Sequence, residues 1–304
     1  MTVKPPVFQT TTEYKHHIGE ALAELDLDPR LTYEPKRIIS ILSPSRGGST
    51  VFKHALAMHP EITNLAGEEE PYYKLAQNGY PWSKSDNFYD SFEDLNCPEL
   101  IRTLIANELK APIETVRNNR KILQQRFVEE LPFVDQDDRS ERVTDTLLVK
   151  TPQNCYRPGL LEELYPKAEI MYLSMTRDPR ATINGLLDGW ASDSFQARWT
   201  PGGWWKFDMP PNWSWDVTVL EACINQWRSA RVAIAKGFTV AGVISFEEFL
   251  DDWIGTCRQV WYMLGLSSWS PGSAKLPILS ATDKPERARW RKKRPWLDEI
   301  GLKE

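Results

Sequence analysis

The sequence predicts an α/β protein, a parallel β-sheet with helices on both faces. Three observations carry this: short β-branched apolar runs recur, each leads through a turn into an apolar pattern of helical period, and the unit repeats four times in 304 residues. Strands alternating with helices close into a parallel sheet, and in such sheets ligands gather at the carboxyl ends of the strands.

Residues 1–36 read as an extended arm with a short helix around Tyr14 to Leu25, ended near Pro29 and Pro35. "RIISILS" (37–43) is a short apolar run of the kind buried on both faces of a sheet. After the Gly47-Gly48 turn, Val51, Phe52, Ala55 and Leu56 recur at helical spacing, so a helix starts near Ser49. Residues 70–144 are polar and helix-prone, and "DQDDRSER" within them reads as a solvated loop.

The second unit is "DTLLVKTP" (145–152), a strand ending at Lys150, with the helix "RPGLLEELYP" stopped by Pro166. The third is a strand over 168–174, a turn carrying Arg177 and Pro179, and a helix from Arg180. Residues 190–215 are rich in Trp, Pro and Gly without a period and read as a long loop, of a length that usually has a use. The fourth unit, "FTVAGVISFEEFL", is a strand to Ser245 and a helix that continues through "WIGTCRQVWYMLGL". With no internal repeat and no linker composition, the chain reads as one domain, 1–304, with inserted lid segments.

Composition narrows the function. A 41% hydrophobic and 26% charged content is that of a soluble globular protein, and a formal charge of −5 provides no general field for nucleic acid or an anionic membrane. Cys97, Cys155, Cys223 and Cys257 form no Cys-x-x-Cys pair and read as reduced core thiols. The four histidines form no ligand array, so no metal is expected. The amino terminus lacks the apolar core of a signal peptide and no run reaches the roughly 18 to 20 apolar residues of a membrane span, so a cytoplasmic protein is expected.

Three strand ends carry a cation: Arg46, Lys150 and Arg177. In a parallel sheet all three enter one crevice, beside the helix starts at Ser49 and Arg180, whose amides stabilise anions. Any one of them alone is most simply a surface ion-pair residue; their common position after three strands points to a ligand with more than one anionic group.

"SRGGST...HPEI", "LLVKTP", "MTRDPRATING" and "VISFEEFLDD", in this order and spacing, resemble the sulfotransferases that use 3′-phosphoadenosine 5′-phosphosulfate (PAPS), most closely the bacterial and tyrosylprotein-type branch, over roughly residues 37–300. The resemblance implies a P-loop-like fold. It implies that Arg46 contacts the bridging and leaving oxygens of the phosphosulfate, within a cradle of Gly47, Gly48, Ser49 and Thr50, and that Lys150 shares the neutralisation of the leaving phosphate. Arg177 matches the arginine that binds the 3′-phosphate, but the family's serine eight positions later is Gly185, leaving Asn184 to offer an amide donor.

A Gly-Glu-Glu segment supplies the catalytic base in the tyrosylprotein branch, which maps to Glu69, with Glu68 and Glu70 as its alternatives on the acceptor side. A glutamate facing cations is expected to have a depressed pKa. His54 and His59, placed on the first helix, are weaker candidates. Late in the chain the resemblance implies that Ser280 touches the phosphosulfate and Arg287 or Arg289 the 3′-phosphate. The Trp-rich segment would then be an acceptor lid, with Trp190, Trp204 and Trp205 in its wall and Asp188, Asp193, Asp208 and Asp216 suiting a cationic acceptor.

The expected reaction moves a sulfuryl group from PAPS to a hydroxyl, or second to an amine, of a small acceptor such as a natural product, releasing adenosine 3′,5′-bisphosphate (PAP) without a metal. Two rivals stand beside it. A P-loop kinase is disfavoured by the missing Gly-x4-Gly-Lys-[ST] run, and a polyanion-binding module would use the basic cluster at 287–294.

Overall fold

The computed structural model describes residues 11–65, 67–69, 72–73, 98–127, 142–192, 198–200, 203–207, 216–276 and 286–302. Its centre is a five-stranded sheet of β1 (Arg37–Leu42), β2 (Thr63–Asn64), β3 (Thr146–Val149), β4 (Glu169–Thr176) and β7 (Val240–Ser245), in the order β2-β3-β1-β4-β7. Every neighbouring pair in it is parallel. Two further short strands, β5 (Arg198–Thr200) and β6 (Gly203–Trp205), form a separate antiparallel hairpin.

The central strand shows why the sheet needs two helical layers. Ile38 and Leu42 pack into one core with Leu147 and Val149, while Ile39 and Ile41 pack into another with Leu148, Leu173 and Met175. Side chains alternate across a strand, so a run that is apolar at nearly every position is stable only when both faces are covered. The first face is covered by α1 (Thr11–Glu24), α3 (Pro98–Lys110), α4 (Ile113–Phe127), α5 (Leu160–Leu164) and α7 (Val219–Gly237). The second is covered by α2 (Ser49–Leu56), α8 (Phe246–Asp251) and α9 (Trp253–Met263). A third core joins α6 (Pro179–Ala191) to α7 and to Trp290 and Leu297, from α10 (Trp290–Lys293) and the 3-10 turn after it.

The four strand-helix units lie where the sequence places them, with three differences. The helix expected to run on from Phe246 is two helices. Asp252 ends the first, and its carboxylate accepts from Gly255 N at 2.9 Å to cap the second, the usual competition of an Asp side chain with a continuing helix. The two-residue strand β2 is too short to leave a periodic signal. The segment expected as a loop from 190 contains the last turn of α6 and the β5–β6 hairpin.

From β1 the chain builds β2 and β3 on one side and then β4 and β7 on the other. The reversal falls between β1 and β4, so the loops after these two strands flank a topological switch point, where open α/β sheets bind ligands. Arg46 lies in one loop and Arg177 in the other.

Candidate active site

The loop leaving β1 is shaped by contacts that exclude side chains. Gly47 N donates to Pro44 O at 3.0 Å to close a tight turn, and a β-carbon at Gly47 would stand 2.1 Å from Ser43 Oγ. Gly48 has φ +94°, and a β-carbon there would lie 2.3 Å from the ring of Phe246. Arg46 itself takes φ 64°, a left-handed conformation that costs a non-glycine residue free energy. The helix α2 then begins at Ser49 with no side-chain cap, which leaves first-turn N–H groups of the kind that suit an anion.

The second helix start differs. Asp178 caps α6 by accepting from Arg180 N at 2.8 Å and holds the Arg180 guanidinium as well, so this amide is already used. The available donors on this side are arginines. Arg177 NH1 donates to Arg46 O at 2.8 Å, its guanidinium lies 4.5 Å from the centre of the Phe246 ring, and its Nε is buried without a hydrogen-bond partner. Burial lowers the Arg177 pKa to about 10, with the positive charges of Arg46 and Arg289 acting in the same direction. Burial also lowers that of Arg46, again with Arg289 adding to the effect. Three guanidinium groups crowded this way favour a ligand that brings negative charge.

Of the two late arginines, Arg289 is the one within electrostatic reach of Arg46 and Arg177. Arg287 braces the carboxyl-terminal segment by donating to Glu247 O at 2.9 Å and pairing with Asp251. Asp188, expected to face an acceptor, is instead engaged by Arg289 at 3.0 Å, Lys293 at 3.2 Å and Arg294 at 2.7 Å. Burial works to raise its pKa, but the hydrogen bonds from Arg294 and Lys293 outweigh it and hold the carboxylate below its usual range. Asn184 presents its carbonyl Oδ1 to Arg294 NH1 at 2.6 Å. Gly185 faces Arg46, with 3.1 Å between a β-carbon built there and Arg46 Cβ, so the space of the family's serine is limited by the arginine. In the cluster at 287–294, Arg287 pairs with Asp251, Lys292 with Glu286, and Arg289, Lys293 and Arg294 share Asp188, while Arg291 lies over the Trp290 ring.

On the other side of β1, Lys150 is almost wholly buried at the end of β3. Its Nζ donates to Thr50 Oγ1 at 3.0 Å and forms an ion pair with Glu68. Sequence reasoning centred the base on Glu69, but the structure encloses Glu69 completely: its carboxylate accepts from Lys150 N at 3.1 Å and from Asn154 Nδ2 at 2.6 Å. Its pKa is raised rather than depressed, because loss of solvent outweighs the nearby cations. Glu68, partly exposed, is the carboxylate that meets the lysine at the loop. The segment bearing both is held by Lys53 of α2, a buried residue that sequence reasoning did not single out. Its spacing from Thr50, three residues on one helix face, was the available signal.

The histidines have other duties. His59 lies beyond the end of α2, where its Nδ1 accepts from Glu61 N and its Nε2 donates to Ser267 O at 2.9 Å. His54 is on α2, and burial with Lys53 and Lys150 nearby lowers its pKa to about 3.

Trp190 ends α6 with its Nε1 donating to Gln226 Oε1 at 3.3 Å, anchored to α7. Lys206 Nζ donates to Gly189 O, Trp190 O and Ser192 O, capping α6 from the far side of the hairpin. Of Trp204 and Trp205 only the backbone, in β6, is described. Glu70, Ser280, Asp193 and Asp208 lie outside the described residues. Among the described residues Cys155, Cys223 and Cys257 are buried free thiols, no group of His, Cys, Asp or Glu is arranged to hold a metal, and no helix is long and apolar enough to cross a membrane.

A parallel sheet whose switch point carries an uncapped helix start, a strained glycine loop and converging cations is an α/β arrangement suited to an oxyanion. The chain matches the sulfotransferase family model over residues 39–271 and belongs to that family, whose chemistry is sulfuryl transfer. Among solved structures, a sulfotransferase from Alicyclobacillus acidocaldarius is 15% identical, with 83% of this chain and 87% of that chain covered and a TM-score of 0.39. The sulfotransferase domain of the Synechococcus PCC 7002 olefin synthase is 14% identical, covering 80% and 78% with a TM-score of 0.41. That of the curacin biosynthetic pathway is 14% identical, covering 79% and 77% with a TM-score of 0.39. No curated protein matches the sequence.

Proposed function

We propose that the protein transfers a sulfuryl group from PAPS to a hydroxyl, or secondarily an amine, of a small organic acceptor such as a natural product. The observation that carries this reading is the single contact set at the end of β3, where Lys150 Nζ joins Thr50 of the anion loop to the carboxylate of Glu68. The contact of Lys150 Nζ with both groups supports a cation for the leaving phosphate beside a carboxylate base for the acceptor.

The residues fit the donor. The uncapped start of α2 and Arg46 suit the 5′-phosphosulfate. Arg177, with its buried unpaired Nε, and Arg289 suit the 3′-phosphate. PAPS supplies a sulfuryl group activated by its phosphate leaving group. Sulfuryl transfer forms a bond from the acceptor oxygen to sulfur and breaks the bond from sulfur to the bridging oxygen. The acceptor proton passes to Glu68, and the electron pair of the broken bond stays on PAP. By analogy with loose phosphoryl transfer, alignment and charge stabilisation supply most of the acceleration. Arg46 and Lys150 balance the charge that develops on the bridging oxygen, and the contact with Lys150 holds the Glu68 carboxylate beside that charge.

Transfer of labelled sulfate from PAPS to a panel of phenols, aliphatic alcohols and amines tests the reading, with thermal shifts by PAP and by ATP with magnesium as the binding measurement. Stabilisation by PAP together with labelled product supports it. Stabilisation by ATP with magnesium but not by PAP would reject it in favour of phosphoryl transfer. Comparison of Glu68→Gln with Glu69→Gln tests the base, since full activity in Glu68→Gln removes it from that role.

A further inference from the structure

Lys53 is a buried cation that the chemistry above does not use. It lies three residues after Thr50 on α2 and is 2% exposed. Its Nζ donates to Leu65 O at 2.9 Å and to Gly67 O, the carbonyls just ahead of Glu68. Beyond Glu68, the carboxylate of Glu69 is fixed to the end of β3 and to the turn after it, through Lys150 N and Asn154 Nδ2. Glu68 is therefore gripped from both sides in sequence, and between the two grips its own carboxylate meets Lys150.

The arrangement is costly for packing alone. Enclosing an ammonium group in a protein interior is costly unless it is compensated, and apolar residues of similar volume often serve stability as well or better. Here the charge is compensated by two carbonyls and the field of Glu69, all belonging to one short segment. Thr50 and Lys53 share a helix face. One face of α2 thus sets both the hydroxyl that receives Lys150 and the backbone that carries Glu68.

We propose that Lys53, with Glu69 as its electrostatic counterpart, is a positioning residue that holds Glu68 against Lys150 for removal of the acceptor proton. This rests on the reading of Glu68 as the base. Neither Lys53 nor Glu69 touches the reacting atoms; both act through the segment between them.

A double-mutant cycle tests it, using Lys53→Met, Glu68→Gln and the two together, with PAP release from PAPS in the presence of 2-naphthol as the rate and calorimetric titration of PAP as the binding readout. Lys53→Met is expected to lower kcat by roughly 10-fold to 100-fold, the effect of a misplaced reacting group, while the Kd for PAP stays within about twofold. In the Glu68→Gln background the same substitution is expected to cost less than about twofold, because the residue it positions is already gone. Lys53→Arg is expected to recover part of the lost rate. An unchanged kcat in Lys53→Met, an equal loss in both backgrounds, or a loss of PAP affinity matching the loss of rate would each overturn the assignment of Lys53. Full activity of Glu68→Gln would reject the base itself and the proposal with it. If Lys53→Met does not fold, the cycle with Glu69→Gln carries the same expectation and the same overturning results.

Discussion

Gly185 lies against Arg46: a β-carbon at Gly185 would stand 3.1 Å from Arg46 Cβ and 3.6 Å from its Nε. The helix that follows the Arg177 turn is therefore packed against the side chain of the first loop. The two halves of the anion site are in direct contact, and the residue at position 185 controls how closely they approach.

Gly185→Ser, which restores the residue of the resembling family, is expected to weaken the site. Added atoms in a close-packed contact cost about 1 to 3 kcal/mol, and Arg46 would have to shift to admit even the first of them, 3.1 Å from its Cβ. PAP affinity is expected to fall by about 5-fold, the equivalent of about 1 kcal/mol. Calorimetric titration of PAP measures it; an affinity equal to or better than that of the unmodified protein would show that Arg46 moves aside freely.

The left-handed backbone at Arg46 separates its conformation from its charge. Arg46→Ala and Arg46→Gly are both expected to lose about 100-fold in transfer rate, the cost of removing one charge-stabilising donor. Their stabilities should differ. Relief of left-handed strain, about 1 to 2 kcal/mol, is offset in part by the greater unfolded-state freedom of glycine, about 0.4 to 1 kcal/mol. Arg46→Gly should therefore melt roughly 2 °C above Arg46→Ala. Equal melting temperatures would mean that the loop holds no strain at this position.

Arg289, Lys293 and Arg294 converge on the carboxylate of Asp188. Removing one member of a buried ion pair costs about 3 to 5 kcal/mol, and the partial exposure of Lys293 and Arg294 reduces that to about 2 kcal/mol for Asp188→Asn. The melting temperature is expected to fall by roughly 3 °C. Proteolysis should then begin in the carboxyl-terminal segment, which this network ties to α6. Differential scanning calorimetry and limited proteolysis check both, and an unchanged melting temperature would show the network to be ornamental to stability.

The centre of the sheet was legible because β1 and β3 are short apolar runs sealed on both faces, a pattern with little alternative. Arg46, Lys150 and Arg177 were legible because strand ends in a parallel sheet share one crevice. What could not be read was pairing across distance. Asp188 reads in sequence as an acidic residue of a helix end, and only the return of residues 289–294 to that helix surrounds it with cations. Glu68 and Glu69 are neighbours of identical chemistry, and which is sealed depends on Asn154 and Lys150, more than eighty positions away. The direction of the Glu69 pKa was misjudged for the same reason: nearness of cations was visible in the motif, whereas loss of solvent was not.

Two buried groups beside Lys53 give the stability of this site opposite dependences on pH. His54 has its pKa lowered from 6.5 to about 3, chiefly by burial and then by Lys53 and Lys150. Between these values the unfolded chain binds the proton and the folded chain does not. Its contribution is thus complete above pH 6.5 and is lost as the pH falls toward 3. Glu69 has its pKa raised from 4.5 by burial, so above 4.5 the folded chain retains a proton that the unfolded chain has released. Stability therefore declines as pH rises through that window, until the folded group ionises too. The melting temperature of His54→Gln, relative to the unmodified protein, should climb as the pH is lowered from 6.5. That of Glu69→Gln should climb as the pH is raised from 4.5, provided the lost hydrogen-bond symmetry toward Lys150 N contributes a constant offset. Melting curves of the three proteins between pH 4 and 8 decide the signs. Parallel curves for His54→Gln and the unmodified protein would mean that this histidine is solvated, and that the interior beside Lys53 is wetter than its packing indicates.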